Sequence, residues 1–157
     1  MNLLSLSRRT GKALVSKGQT LATAESCTGG WVAQAVTAVA GSSDWFERGY
    51  VTYSNAAKRE ALGVPKKILL RHGAVSEQTA RAMAQGALRK SRAHIALSIT
   101  GIAGPGGGAP GKPVGTVCFA WAQGRRTRSE TKRFKGGRAR VRRQSVIHAL
   151  RGVLKWL

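Results

Sequence analysis

Ala24-Glu25-Ser26-Cys27-Thr28-Gly29-Gly30 is the stretch that decides the fold. It follows a short β-type run, Thr20–Thr23, and precedes valines that recur at helical steps between residues 32 and 39. Ser26 is therefore predicted at a corner where a strand turns into a helix. Such a corner exposes a side chain at the sheet edge and points backbone N–H groups at a ligand, which glycines let approach closely. A plain helix cap followed by a turn is the alternative interpretation.

Strand and helix patterns alternate along the rest of the chain, with no repeat and no linker. This alternation is typical of a layered α/β domain, and a closing hairpin makes the sheet mixed. We expect one three-layer α/β/α domain over residues 1–157 with a mixed, mostly parallel sheet. Helices are predicted at Ser5–Lys17, from the corner to about Ala40, at Asn55–Leu62, Lys66–Arg71 and Glu77–Lys90, and from near Gly137; strands are predicted at Leu21–Ala24, Trp45–Tyr53, His94–Ile99, Gly115–Gln123 and Arg128–Phe134.

The composition indicates a globular protein and excludes several classes of site. The chain has 157 residues, 42% of them hydrophobic, and no apolar run approaches the ~20 residues that span a bilayer. Its N-terminus becomes charged too early for a secretory signal. The only two cysteines, Cys27 and Cys118, form neither a disulfide framework nor a zinc-site spacing. We expect a cytoplasmic protein without a metal and without a membrane partner.

The charge is unusual, because 27 Lys and Arg face six acids and the formal net charge is +21. Ten of these cations lie between Arg125 and Arg143, with Glu130 as the only acid in that run. Such a surface attracts nucleic acid, phosphorylated metabolites or acidic lipid headgroups. A solvated charged face is the alternative. No pattern of basic residues interleaved with exposed aromatics is evident, so nucleic-acid binding is expected through charge only.

A glycine-rich loop, Thr100–Gly111, follows a buried-type strand. Gly106–Lys112 has the spacing of a Walker loop, but Pro113 occupies the place of the Ser or Thr that binds Mg²⁺. An ATPase is therefore excluded. A loop after a strand end is where open α/β sheets bind ligands, and a long surface turn is the alternative.

Tyr53 and Lys58 are one residue further apart than the Tyr-x-x-x-Lys pair of a short-chain dehydrogenase, and no G-x-G-x-x-G opens the first strand–helix unit. That class is excluded. A lysine just past a strand can still face the Ser26 corner. Burial and neighbouring cations disfavour its ammonium form, and a neutral amine can take the proton of a serine hydroxyl. A solvated surface lysine is the alternative.

The remaining titratable residues give no further catalytic pattern. His72, His94 and His148 lack a triad-like setting and are interpreted as structural. The six acids are scattered singly, so no carboxylate pair is available. Glu25 is the only acid beside Ser26, and an ion pair with a neighbouring Lys or Arg is its plain interpretation.

Seven short motifs occur in order along nearly the whole chain. They are Thr23-Ala-Glu-Ser-Cys-Thr-Gly-Gly30, Gly41-Ser-Ser43, Tyr53-Ser-Asn-Ala-Ala-Lys58, Leu62-Gly-Val64, His72-Gly-Ala-Val-Ser76, Thr100-Gly-Ile-Ala-Gly-Pro-Gly-Gly107 and Lys112-Pro-Val-Gly-Thr116. Together they resemble the CinA C-terminal domain family, the nicotinamide-nucleotide amidases of the PncC type. The N-terminal domain of longer CinA proteins has no counterpart before the first predicted helix, so a stand-alone amidase is expected.

The resemblance implies hydrolysis of nicotinamide mononucleotide to nicotinate mononucleotide and ammonia, in pyridine nucleotide salvage and without a cofactor. It implies Ser26 as nucleophile, Lys58 as general base, and Tyr53 as the residue that orients the amine or relays its proton. Which loop holds the oxyanion and which the phosphate is left open. The substrate-binding residues that it implies are Glu25, Thr28, Gly29, Gly30, Asn55, Thr100, Gly101, Gly104, Gly106, Arg138 and Arg142.

The chain departs from this family where the last helix begins. The family usually has an acidic G-D-R-E-like turn there, whereas this chain has Gly136-Gly-Arg-Ala-Arg140. A role of those acids in substrate binding or subunit contacts is not expected here. A homo-oligomer, dimeric or higher, is expected, since a short chain can complete its site with a neighbour. Two other functions stay open: a basic module that binds phosphate or nucleic acid, and a competence-related protein that keeps only the fold.

Overall fold

The computed structural model describes residues 2–157, which form an α/β domain of five strands and six α-helices. A short 3₁₀ turn at Ser42–Asp44 precedes the second strand. The elements are α1 (Leu3–Ser16), β1 (Leu21–Glu25), α2 (Trp31–Thr37), β2 (Phe46–Val51), α3 (Asn55–Leu62), α4 (Lys66–His72), α5 (Glu77–Arg89), β3 (Ile95–Gly101), β4 (Thr116–Gln123), β5 (Arg126–Arg133) and α6 (Arg138–Trp156).

The strands form one sheet in the order β2-β1-β3-β4-β5. Strand β1 pairs in parallel with both β2 and β3. Strand β4 pairs antiparallel with both β3 and β5. Four strands therefore run in one direction and only β4 opposes them, which confirms the predicted mixed, mostly parallel sheet.

Helices cover both faces of this sheet, so the three-layer prediction is confirmed. Helices α1, α2 and α6 share a core with the side chains of one face, and α5 with α3 and α4 covers the other. Alternation along β1 serves both layers, since Leu21 belongs to the first core and Ala22 and Ala24 to the second. Alanines on both sides let α5 lie close to the sheet, as at Ala84 and Ala120.

Several element ends differ from prediction. Helix α1 begins two residues earlier, and β3 extends to Gly101, so Thr100 and Gly101 belong to the strand and not to the predicted loop. Helix α2 ends at Thr37 instead of near Ala40, because Val39 N donates to Val36 O in a tighter turn and Gly41 takes a left-handed backbone. Strand β2 is limited to Phe46–Val51, so Tyr53 lies beyond it. Strand β5 starts at Arg126, two residues earlier than predicted, because the hairpin turn is shorter.

Helix α3 has the predicted bounds, and its N-cap places the key lysine. Ser54 accepts a hydrogen bond from Ala57 N at 3.0 Å and so starts the helix directly after the β2 connection. Lys58 consequently lies one turn into α3. Ser76 caps α5 through Thr79 N in the same way, as predicted.

Within residues 2–157, no helix combines the length and the apolar character that crossing a bilayer requires.

Candidate active site

Ser26 follows β1 directly and lies at the carboxyl end of the parallel part of the sheet. The last residue of β1, Glu25, pairs with Val51 on one side and Ile99 on the other. Ser26 N donates to Ile99 O at 2.9 Å, which ties the corner to β3. This edge is where open α/β sheets bind ligands.

The carboxylate of Glu25 is fully buried beneath the corner. It accepts hydrogen bonds from Thr28 Oγ1 at 2.7 Å, Val32 N at 2.8 Å and Ala33 N at 3.1 Å. The expected ion pair with Lys or Arg is replaced by these bonds, because the amino end of α2 supplies N–H groups that need an acceptor. That helix end therefore does not offer the free N–H groups predicted for a ligand.

Arg142 holds the corner from the other side. Its Nε donates to Cys27 O at 3.1 Å and its Nη2 to Thr28 O at 3.2 Å, while the guanidinium lies 5.5 Å from the Trp31 ring centroid. A side chain on α6 thus fixes two carbonyl groups of the β1–α2 connection. In this arrangement the guanidinium contacts the protein rather than the pocket.

Lys58 meets Ser26 across the corner. Lys58 Nζ lies 3.0 Å from Ser26 Oγ and donates to Thr52 O at 3.0 Å and Tyr53 O at 3.3 Å. Its side chain is only 1% exposed, and burial lowers its pKa, although the Cys27 thiol opposes that shift weakly. Within residues 2–157, no carboxylate forms an ion pair with this amine.

The neighbouring thiol is a poor competitor as nucleophile. Burial raises the pKa of Cys27 to about 12, against smaller lowering effects from its own backbone and from Arg142. Cys27 therefore stays protonated at neutral pH, and thiols react as thiolates. Ser26, in contrast, has the Lys58 amine at hydrogen-bond distance.

Tyr53 and Arg138 meet at the mouth of the pocket. The phenol is 61% exposed and accepts a hydrogen bond from Arg138 Nη2 at 3.1 Å, while Arg138 Nη1 donates to Gly104 O at 2.8 Å. Lys58 contacts the Tyr53 carbonyl and not its hydroxyl. Arg138 therefore links the residue after β2 to the glycine-rich loop.

A pocket of about 280 Å³ opens between the corner, α3 and the glycine-rich loop. It collects most residues that the sequence predicts for the site and leaves out five of them, which lie under or behind the corner. The predicted residues that line it are Ser26, Tyr53, Asn55, Lys58, Thr100, Gly101, Gly104, Gly106 and Arg138; those that do not are Glu25, Thr28, Gly29, Gly30 and Arg142.

Six further residues line the pocket that sequence reasoning did not single out. All six lie in the sequence motifs quoted above: one follows Ser26 directly, two follow His72, and three lie in the glycine-rich loop. Thr100 Oγ1 donates to Ala74 O at 2.8 Å, which brings these segments together. The six are Cys27, Ala74, Val75, Ile102, Ala103 and Gly107.

Within the described residues, no three His, Cys, Asp or Glu side chains come together in a group that could hold a metal ion.

Comparison with known proteins places this geometry in a family. The model of the CinA C-terminal domain matches residues 3–157. The nicotinamide-nucleotide amidohydrolase PncC of Escherichia coli K12 is 56% identical over 94% of this chain and 90% of its own length. The enzyme of that name from Pseudomonas putida is 51% identical over 98% and 96%.

Solved structures show the same fold. The competence/damage inducible protein CihA from Agrobacterium tumefaciens superimposes with a TM-score of 0.94 at 46% identity, over 98% of this chain and 94% of that one. A CinA superfamily protein from Klebsiella pneumoniae 700603 gives a TM-score of 0.96 at 40% identity, over 99% and 97%. The chain belongs to the CinA C-terminal domain family.

Proposed function

We propose that this chain is an amidohydrolase that converts nicotinamide mononucleotide to nicotinate mononucleotide and ammonia, with Ser26 as nucleophile and Lys58 as base. The observation that carries the proposal is the 3.0 Å approach of a buried lysine amine to the hydroxyl of Ser26, which lines the pocket. The names of relatives at 51–56% identity over nearly the whole chain support the substrate.

The contacts of Lys58 suit a neutral amine. A neutral amine has two N–H donors and one lone pair, and the carbonyls of Thr52 and Tyr53 accept the two donors. The lone pair then faces the third neighbour, Ser26 Oγ, whose proton it can accept. Burial favours this neutral form, and a neutral amine also avoids repelling the cationic pyridinium of the substrate.

Acylation then follows from this pair. Ser26 Oγ attacks the carboxamide carbon while Lys58 takes the hydroxyl proton, giving a tetrahedral oxyanion and an ammonium. The oxyanion collapses, the C–N bond breaks, and Lys58 returns its proton to the nitrogen, which leaves as ammonia. The product of this step is an ester between Ser26 and the nicotinoyl group.

Deacylation reuses the same base. Lys58 takes a proton from a water molecule, which attacks the ester carbon, and the second tetrahedral oxyanion expels Ser26 Oγ. The serine recovers its proton and nicotinate mononucleotide is released. Tyr53 is proposed to assist at the pocket mouth, where its hydroxyl contacts Arg138 rather than the lysine.

Two groups of the substrate still need a binding site, the oxyanion and the phosphate, and we divide them between the corner and the loop. Because Ser26 N already donates to Ile99 O, we assign the oxyanion to the N–H of the following residue, Cys27, the position that serves nucleophile elbows. We assign the phosphate to Arg138 and the glycine-rich loop, since Glu25 already caps the amino end of α2.

Ammonia release from nicotinamide mononucleotide by wild type and Ser26→Ala tests the proposal. We expect the variant to lose about 10⁴-fold or more in kcat, as when a nucleophile is removed from a cooperating set. Ser43→Ala, at an exposed turn residue, is the matched control and should keep wild-type activity. Equal activity in Ser26→Ala would refute the serine mechanism.

The same assay separates the enzyme from a competence-related protein that keeps only the fold, since such a protein would release no ammonia even as wild type. A homo-oligomeric state and a cytoplasmic location stay predictions. Sedimentation of the purified chain would test the first and fractionation of cells the second.

A further inference from the structure

The basic run of the sequence divides into separate groups in the structure. Arg138 and Arg142 belong to the pocket and its corner, and Arg133 donates to Gly111 O at 3.1 Å. The first three arginines of the run lie elsewhere, at Arg125, Arg126 and Arg128. The amidase proposal uses none of these three.

These three arginines line a groove of about 450 Å³ beside the edge strand β5, which we call the β5 groove. Five of its seven residues are cationic and none is acidic. Its lining is Arg81, Arg125, Arg126, Thr127, Arg128, Lys155 and Trp156. Repulsion among five cations is unfavourable, and a bound polyanion would relieve it.

The acids nearest in sequence or across the strand do not neutralise this groove. Glu130 contacts His148 Nε2 at 3.0 Å, on the α6 side of the sheet. Glu77 accepts hydrogen bonds from Ser129 Oγ at 2.8 Å and Thr131 Oγ1 at 2.7 Å, on the α5 side. Within residues 2–157, neither carboxylate forms an ion pair with a cation of the groove, and Arg81 reaches Glu77 only through Ser129, to whose Oγ it donates at 3.3 Å.

Tryptophans support the arginines, an arrangement that the sequence did not reveal. The Arg126 guanidinium carbon lies 4.7 Å from the Trp156 ring centroid, and that of Arg128 lies 4.8 Å from the Trp121 ring centroid and 5.9 Å from that of Trp156. Stacking fixes each guanidinium plane while leaving its N–H donors available. Within residues 2–157, the side chains of Arg125, Arg126 and Arg128 donate no hydrogen bond to a protein acceptor.

The groove lies at the opposite end of the sheet from Ser26. Arg126 pairs with Gln123 at the start of β5, and Thr127 is linked through Ala122 to Ala96 at the start of β3. Ser26, in contrast, follows the carboxyl end of β1. A ligand in the β5 groove therefore does not compete with one in the pocket.

We propose that the β5 groove binds the phosphodiester backbone of nucleic acid, without reading base sequence. Arginine forks match phosphate oxygens, and a row of five cations along an open groove suits a polymer of repeated phosphates better than one small anion. An anionic membrane fits less well, because membrane-surface segments insert apolar side chains and the one indole of this groove is covered by guanidinium. This binding would be additional to the amidase reaction.

Fluorescence anisotropy with a short, labelled, mixed-sequence DNA duplex tests the inference, between about 50 and 200 mM salt. For wild type we expect log K to fall against log salt with a slope of about −3 to −4, as three or four phosphates are neutralised. Replacing Arg125, Arg126 and Arg128 together by Gln should weaken binding about 100-fold near 100 mM salt and reduce the slope by about 2 to 3.

The matched control removes three exposed cations from α4, by Lys66→Gln, Lys67→Gln and Arg71→Gln. This variant has the same net charge as the groove variant and should bind DNA within about threefold of wild type. Equal weakening in both variants, or a wild type that does not bind, would overturn the inference, because only net charge would then matter.

Three further measurements distinguish loss of DNA binding from misfolding and from membrane binding. Circular dichroism and ammonia release should be unchanged in both variants; if the groove variant fails to fold, Lys155→Gln alone should still reduce the salt slope by about one. Binding to phosphatidylserine vesicles should be weak and insensitive to the groove substitutions. Loss of vesicle binding without loss of DNA binding would make the groove a membrane site and overturn the proposal.

Discussion

Two segments meet at the carboxyl edge of the sheet, the Ser26 corner after β1 and the glycine-rich loop after β3, and they are built in opposite ways. The corner is held from below by Glu25 and from outside by Arg142, so most of its polar backbone groups have protein partners. The end of β3 and the loop present Gly101, Gly104 and other glycines to the pocket, and Arg138 donates to Gly104 O at its mouth.

The difference separates two requirements of the proposed reaction. A nucleophile must stay within hydrogen-bond distance of its base, and small displacements there are costly. A substrate instead needs room, and glycines leave space for it near the backbone. Substitutions in the corner should therefore lower kcat, whereas those in the loop or on Arg138 should raise KM.

Lys58→Arg is the strongest test of the corner. Arginine keeps the positive charge but does not deprotonate, so the base is lost and we expect kcat to fall about 10³–10⁴-fold. Ammonia release at saturating nicotinamide mononucleotide measures this. Lys66→Arg on α4 is the control and should be neutral. An active Lys58→Arg enzyme would contradict the base role.

The pH dependence gives a second measurement on this lysine. Burial lowers the pKa of Lys58, and only its neutral form accepts a proton, so kcat/KM should rise with pH through that lowered pKa. The midpoint should lie below the ordinary lysine pKa near 10.5. A rate independent of pH from 5 to about 10 would contradict this, because the ammonium form would then be competent.

Glu25→Gln tests the support beneath the corner. The amide keeps one acceptor oxygen, but its NH2 takes the place of the other and faces at least one buried donor among Thr28 Oγ1, Val32 N and Ala33 N. We expect unfolding free energy to fall by about 1–3 kcal/mol and kcat by about 10²-fold, with KM nearly unchanged. Chemical denaturation and steady-state kinetics measure both. Glu60→Gln, an exposed acid on α3, serves as the control.

Substitutions of two arginines on α6, Arg142 at the corner and Arg138 at the loop, allow a direct comparison of the two segments. Arg142→Gln removes bonds to Cys27 O and Thr28 O and should lower kcat about tenfold. Arg138→Gln removes a proposed phosphate contact and should raise KM about tenfold with kcat kept. Steady-state kinetics of both variants gives the contrast. A KM effect at Arg142 of the same size would mean that it also reaches the substrate.

Gly106→Ala should have the smallest effect. A Cβ on Gly106 would meet no atom within 4 Å, and its backbone needs no left-handed angle. We expect kcat unchanged and KM within about threefold, since a methyl group at the pocket wall displaces at most a little space. Gly101→Ala is the contrasting variant, because its Cβ would lie 2.8 Å from Val117 Cγ2 and 2.9 Å from Thr116 O. Equal tolerance at both positions would contradict the packing described.

The sequence predicted the layers and most elements because hydrophobic periodicity, helix-capping residues and turn residues are local signals. Gly63 and Pro65 end the predicted helix Asn55–Leu62, and the structure has the same bounds. The approach of Lys58 to Ser26 joins residues 32 positions apart; its place after a strand allowed that contact, and the family resemblance singled it out. Local patterns carry no information on such distances.

Other features were beyond the sequence for the same reason. Glu25 was expected to form an ion pair with a Lys or Arg. Its carboxylate instead accepts hydrogen bonds from the amino end of α2, and that contact depends on how the chain folds back at the corner. The contact of Arg126 with Trp156 joins a hairpin to the end of the last helix, and residues so far apart in the chain show no such pairing in the sequence. The catalytic roles of Ser26, Tyr53 and Lys58 stay predictions until kinetics test them.

The single reversed strand, β4, also bears on how this enzyme family can change. Because β4 returns directly beside β3, the glycine-rich loop leaves and re-enters the sheet at neighbouring points: Gly101 pairs with Val117, and Gly115 N donates to Ile102 O at 2.8 Å. A loop with adjacent ends can double in length for only about 0.6 kcal/mol of closure entropy. Insertions and deletions there would reshape the pocket wall while leaving the contact between Ser26 and Lys58 in place.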